Sequence, residues 1–77
     1  MKIQILAFGQ AQEITGKSSW TEANAYDTDN LRIQLNQNFP ELTKINFALA
    51  VNKSIVHQNM VLSDGDVVAI LPPFSGG

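Results

Sequence analysis

Few side chains in this chain of 77 residues could do chemistry. His57 is its single histidine, and Ser54 and Ser63 lie near it in sequence, so a base and a hydroxyl nucleophile are both available. No orienting carboxylate stands at a telling spacing. A catalytic triad is defined by geometry and not by the presence of its parts, and a surface histidine at a strand end is the commoner outcome. Asp64 and Asp66 share the first spacing of a calcium loop, but the twelve-position pattern and its closing glutamate are missing, so a plain turn is expected. No phosphate-cradling glycine loop or dinucleotide fingerprint occurs. Trp20 and Tyr26 are isolated, and half-buried packing is expected for both.

The remaining candidate is the segment LPPFSGG, residues 71–77. Pro72 and Pro73 have a fixed φ and no N–H, so they stop sheet pairing and favour a stiff, extended exit. The six residues from Pro72 reach about 20 Å when fully extended. Phe74 is an apolar anchor with little domain left to pack on, and Ser75 follows it. Gly76 and Gly77 carry no side chain and fit a narrow channel. What such a tail presents is the α-carboxylate of Gly77. A frayed terminus accounts for the glycines, but not for Pro-Pro, Phe and Gly-Gly together.

Composition narrows the partners. A chain of this length holds one hydrophobic core. With 44% apolar and 16% charged residues it is globular and not disordered. The absence of cysteine excludes a disulfide framework, a thiolate zinc site and a cysteine nucleophile. Small secreted domains usually need such staples, which points to a cytoplasmic location. The net charge is −2 and the cations Lys2, Lys17, Arg32, Lys44 and Lys53 are scattered, so neither nucleic acid nor an acidic membrane is an expected partner. No apolar stretch is long enough to span a bilayer. The opening MKIQILAFGQAQ is interrupted by Gln4 and is no signal-peptide core; Met1 reads as the start of the domain. No metal site and no bound cofactor are expected.

The elements that must position the tail follow from periodicity. Lys2–Phe8 reads as a strand, with Ile3, Ile5 and Ala7 on one face and Leu6 and Phe8 on the other. Gly9–Gly16 reads as a glycine-bounded connection, and Lys17–Ala23 as a polar strand near a sheet edge. Asp27 or Thr28 caps a helix whose stripe is Leu31, Leu35 and Phe39, which leaves Ile33 exposed and ends at Pro40. Ile45–Val51 is a third strand, Asn52-Lys53 a tight turn, and Ser54–His57 a short fourth strand. Leu62–Asp66 is a turn with Gly65 at positive φ. Val67–Leu71 is a last strand whose continuous apolar character suits a central place. A helix after an opening hairpin must cover one sheet face. The predicted architecture is α+β with a mixed sheet and adjacent terminal strands, a β-grasp over residues 1–71 with an extended tail over 72–77.

The whole chain resembles the ubiquitin-like sulfur carriers, and among them the small subunits of molybdopterin synthase. Phe8–Gly16 is similar to that family's FA-x-x-RE-x-x-G segment, Leu31-Arg32-x-x-Leu35 to its LR-x-x-L, and Ala48–Asn52 to its third strand and turn. Leu62–Gly77 is similar to its L-x-DGDEVA-x-x-PP-x-SGG ending, the most specific of these motifs. Thiazole-forming carriers also end in Gly-Gly but typically lack the Pro-Pro step. Gln12 departs from the usual Arg, Val67 from the usual Glu, and Phe74 from a smaller aliphatic residue.

The resemblance implies a mechanism. An adenylating activating enzyme uses ATP to form an acyl adenylate at Gly77, and a sulfur donor protein displaces AMP to leave a thiocarboxylate. Pro72, Pro73, Phe74, Ser75 and Gly76 then insert with Gly77 into the large subunit, in a heterotetramer of two small and two large subunits, and sulfur passes to a cyclic pyranopterin phosphate. On this reading the chain alone is no enzyme. The sheet face opposite the helix, with Leu6, Phe8 and Leu71, docks both partners; ordinary core is the other account of those three. Rival readings are a carrier for thiamine thiazole or tRNA thiolation, protein conjugation through the same adenylate, and a binding module with an inert tail.

Overall fold

The computed structural model describes residues 2–72. Strand β1 (Lys2–Ala7) alternates as its sequence does: Ile3, Ile5 and Ala7 are buried, and Leu6 is half-buried on the other face. It pairs antiparallel with β2 (Ser19–Ala23) and parallel with β5 (Val67–Leu71). Strand β3 (Ala48–Val51) pairs antiparallel with β5 and with β4 (Ser54–Ile55). The five-stranded order is β2-β1-β5-β3-β4, so the two terminal strands lie side by side in the middle and polar β2 lies at an edge. This is the mixed α+β sheet that the pattern predicts. The central place of β5 follows from its two apolar faces: Val68 and Ile70 are buried on one, and Val67, Ala69 and Leu71 are half-buried on the other.

Helix α2 (Thr28–Asn38) covers the Ile3/Ile5 face with Leu31 and Leu35, both fully buried. Each side chain contributes roughly 1.5–3 kcal/mol by leaving water. Asp27 is its cap; the Asn30 N–H donates to Asp27 Oδ1 at 2.7 Å. Asn59 ties this end down from across the chain, accepting from the Asp29 N–H at 2.9 Å and donating to Asp27 Oδ2 at 3.2 Å. Buried Thr28 accepts from the Met60 N–H at 3.0 Å. At the other end Phe39 is half-buried, its ring edge-on to Trp20 with centroids 5.4 Å apart. Pro40 ends the helix as expected and opens a 3₁₀ helix, Pro40–Lys44. Half-buried Arg32 donates to the Phe47 carbonyl at 3.0 Å and lies over that ring, holding the approach to β3.

Several expectations need correction. Gly9–Gly16 is not an open connection: Gly9–Thr15 forms helix α1, ended by Gly16 in the left-handed region. It is short, its N-cap Phe8 makes no side-chain cap bond, and Ala11 is its one buried residue, so periodicity had little to act on. Strand β3 begins at Ala48, three residues after Ile45, because the 3₁₀ helix takes up the chain before it. Strand β4 stops at Ile55, two residues before His57. Tyr26 is 64% exposed and not half-buried, since its backbone, and not its ring, pairs with the Leu62 segment. Trp20 is half-buried as expected.

Candidate functional site

The sheet face away from α2 is built by strand register. Leu6 stands beside Ala69, Ala69 opposite Ala50, and Ala50 opposite Ile55, a single row across four strands. Paired residues of neighbouring strands share a face. The row has two alanines in the middle and larger residues outside, so the face is hollowed along its centre. Phe8 and Leu71 close one end of the trough, and Val67, Asn52 and Lys53 the other. Its volume is about 630 Å³ and, of its lining residues, Lys53 alone is charged.

Leu6, Phe8 and Leu71 therefore come together here. None belongs to the buried core; Phe8 is 47% exposed and the other two are half-buried. Ala50, Ile55, Val67 and Ala69 were not anticipated at this face. The period-2 pattern of β3 and β5 already puts Ala50 and Ala69 opposite the buried Leu49 and Ile70. Val67 occupies the place where the resemblance leads one to expect Glu, and it extends the apolar lining.

The trough ends where the tail begins. The Phe8 N–H donates to the Ile70 carbonyl at 3.4 Å, continuing the parallel ladder of β1 and β5. In that ladder the Phe8 carbonyl would next accept from residue 72. Pro72 has no N–H to give. The carbonyl instead accepts from Ala11 at 3.1 Å and Gln12 at 3.4 Å, the first turn of α1. Pro72 thus ends the sheet and frees the acceptor that starts the helix. Pro73, Phe74, Ser75, Gly76 and Gly77 lie outside the described residues.

The other candidates are accounted for by turns. Asp64 Oδ1 accepts from the Lys2 backbone N–H at 2.7 Å, and Asp66 Oδ2 from the Ser63 N–H at 2.8 Å. Asp66 Oδ1 accepts from Asn52 Nδ2 at 3.1 Å. The Ser63 N–H first, and Asn52 second, hold the Asp66 carboxyl below its ordinary value. These carboxylates close the Gly65 turn. His57 is exposed, and among the described residues neither Ser54 nor Ser63 bonds to it through a hydroxyl.

Known proteins resemble this chain from end to end. A profile described as the ThiS family matches residues 5–77. The molybdopterin synthase sulfur carrier subunit of Mycobacterium tuberculosis is 35% identical, over 100% of this chain and 99% of that protein. A chain in a complex of subunits 1 and 2 of molybdopterin-converting factor from Helicobacter pylori is 31% identical, with a TM-score of 0.74 over the whole of both chains. A putative molybdopterin converting factor, subunit 1, from Pyrococcus furiosus has a TM-score of 0.86 at 19% identity, covering 95% of this chain and 98% of that one, a likeness of fold.

Proposed function

The chain belongs to the ThiS family, and on that premise we propose that it is the sulfur-carrier subunit of a molybdopterin synthase. One observation carries the reading: the likeness to the M. tuberculosis carrier subunit, 35% identical, spans 100% of this chain, so the matched length takes in the segment that ends Gly76-Gly77. The chain has no cysteine, so the sulfur has to travel on another group.

That group is the Gly77 carboxylate. A carboxylate resists substitution because oxide is a poor leaving group. An adenylating enzyme joins it to AMP, consuming ATP and releasing pyrophosphate. A sulfur donor of hydrosulfide equivalence attacks the acyl carbon and AMP departs, which leaves a thiocarboxylate. Its sulfur is ionised at neutral pH and nucleophilic, as a thiolate is. It attacks a carbon of the pterin precursor held by the large subunit. The C–O bond at that carbon breaks, the oxygen leaves with its electron pair, and a thioester forms. Water cleaves the acyl–sulfur bond, so the sulfur stays on the pterin and the carboxylate returns. The large subunit supplies the cationic and acid–base groups for these steps.

The small subunit's part is docking and reach. A large subunit seated on the Leu6/Ala69/Ala50/Ile55 row lies against the end of the sheet from which Pro72 departs. About 20 Å of extended tail then bridges from sheet to reaction centre. The H. pylori relative's complex with a subunit 2 supports such an assembly; two small and two large subunits, in the cytoplasm, complete the reading. Among the described residues no helix is long and apolar enough to cross a membrane.

The test is the intact mass of the chain purified from cells that hold the pathway enzymes. A shift equal to one oxygen replaced by sulfur, located at Gly77, is expected. An unmodified Gly77 with ATP and activating enzyme supplied would falsify the carrier reading.

A further inference from the structure

Gly9 and Pro72 are the residues that follow directly on the Phe8 and Leu71 pair at the end of the two central strands. Because β1 and β5 run parallel, both segments leave the sheet at the same end. One turns into α1 at Gly9, and the other departs at Pro72. Gly9 has φ +55, and a Cβ built on it would stand 2.9 Å from Pro72 Cγ, with Pro72 Cβ at 3.6 Å and Cδ at 3.8 Å. Carbon atoms do not approach to 2.9 Å without displacement, since optimal contact lies at about 3.5–4.0 Å. Of the glycines Gly9, Gly16 and Gly65, which all have positive φ, only Gly9 has atoms within 4 Å of that point.

We infer that Gly9 is a positioning residue for the C-terminal segment: its missing side chain leaves the space in which the Pro72 ring packs, and so sets the direction in which the chain leaves β5. The ring cannot yield by rotating, because its own φ is fixed. A side chain at position 9 therefore changes how Pro72 sits against the start of α1. The trough is untouched by such a change, so docking and delivery separate. The functional consequence rests on the carrier reading; the steric one does not.

Four variants test this: Gly9→Ala, Gly16→Ala, Pro72→Ala and the double Gly9→Ala/Pro72→Ala. Gly16 has φ +74 with nothing within 4 Å of its Cβ position, so its variant isolates the cost of a side chain at positive φ. Pro72→Ala removes Cγ and leaves Cβ at an ordinary 3.6 Å. For the steric arm, a spin label goes on Ser75→Cys, unique in a cysteine-free chain, and broadening of backbone amides is read by NMR. Gly9→Ala should change the pattern of broadened amides, Gly16→Ala should keep it, and the double should match Pro72→Ala alone. For the functional arm, unlabelled chains are used with the large subunit. Gly9→Ala should slow sulfur transfer by about 10–100-fold, the scale of a misplacement near 1 Å, while its affinity for the large subunit stays within about twofold because the trough is intact. An amide pattern in Gly9→Ala like that of the unsubstituted chain overturns the inference. So does a loss shared equally by Gly16→Ala, or effects of Gly9 and Pro72 that simply multiply. If Gly9→Ala does not fold, a folded double variant upholds the Gly9–Pro72 contact, and an unfolded one overturns it. Should the unsubstituted chain carry no sulfur, the carrier reading falls, and the amide patterns still decide whether Gly9 directs Pro72.

Discussion

Asn52 and Asp66 hold two turns of the sheet together. Asn52 Nδ2 donates to Asp66 Oδ1 at 3.1 Å, while Asn52 Oδ1 accepts from the Val67 N–H at 3.0 Å. Asn52 and Lys53 have φ values of 49° and 76°, the two positive φ angles that a two-residue hairpin turn of this hand requires. Glycine is the usual residue there. Here the Asn52 side chain fixes the turn by bonding to the start of β5, so the β3–β4 hairpin and the end of the trough are set by one amide.

This pair makes stability pH-dependent in a defined direction. The fold holds the Asp66 carboxyl below its ordinary 3.8, first through the Ser63 N–H and then through Asn52. A depressed carboxylate contributes stability above its unfolded value and loses it as pH falls through the folded one. Urea midpoints should therefore decline on acidification through and below the ordinary aspartate range. Asp66→Asn should weaken the protein at neutral pH and flatten that acid limb. An unchanged limb in Asp66→Asn would mean that other carboxylates govern it.

Phe8→Ala should separate docking from folding. The side chain is 47% exposed at the end of the trough and outside the buried core, so the melting temperature should change little. Truncating an apolar anchor that a partner buries costs about 2 kcal/mol, which is about 30-fold in affinity. Titration calorimetry against the large subunit should show a loss on that order, and Ile33→Ala, on the helix side, none. Equal affinities for Phe8→Ala and the unsubstituted chain would remove this face from the docking surface.

The core tolerates far less. Leu35→Ala should cost about 2–5 kcal/mol through lost burial and the cavity left behind, a large share of what a domain this small has to spare. Ile33, two residues earlier on the same helix, is 57% exposed, and its alanine variant should stay within about 0.5 kcal/mol. Denaturant midpoints of the two variants, measured side by side, check the assigned faces of α2.

Where strands are short and helices weakly marked, composition could not place residues. The alternation of Ile3, Ile5 and Ala7 and the unbroken run Val67–Leu71 made the central pair legible, because burial on one face or two leaves a direct imprint. A cap at Asp27 or Thr28, Ile33 as exposed and Pro40 as stop were legible for the same local reason, and the structure gives the cap to Asp27. Helix α1 was not, since its single buried residue leaves no stripe. Nor were the trough's Ala50 and Ala69 legible as a pair: each is an unremarkable small residue until register places it opposite the other. The Asn59 and Arg32 anchors act across 30 and 15 residues, distances at which no sequence pattern operates.

Asn59→Ala should uncover how much α2 depends on one distant side chain. It removes the partners of the Asp29 N–H, the Thr28 hydroxyl and Asp27 Oδ2 together. Thr28 is buried, so its loss is not fully repaid by water, and a cost of about 1–3 kcal/mol is expected. His57→Ala, two residues away and exposed, should leave both stability and sulfur transfer unchanged. A large effect on transfer from His57→Ala alone would revive a catalytic role for it.

The sharpest separation of a carrier from a binding module is a single residue added after Gly77. An inert-tail module uses its sheet face only, so the extension should change neither binding nor any activity that depends on it. A carrier presents its terminal carbonyl carbon to two active sites in turn. The added residue moves that carbon by one residue, about 3.3–3.6 Å along an extended chain, and near-attack geometry tolerates no more than a fraction of that. Affinity for the large subunit should fall only slightly, because the trough is unchanged. Adenylation and sulfur transfer, followed by pyrophosphate release and by intact mass, should both be lost. Tight binding with normal sulfur loading on the extended chain would show that the reactive position is not fixed by Gly77.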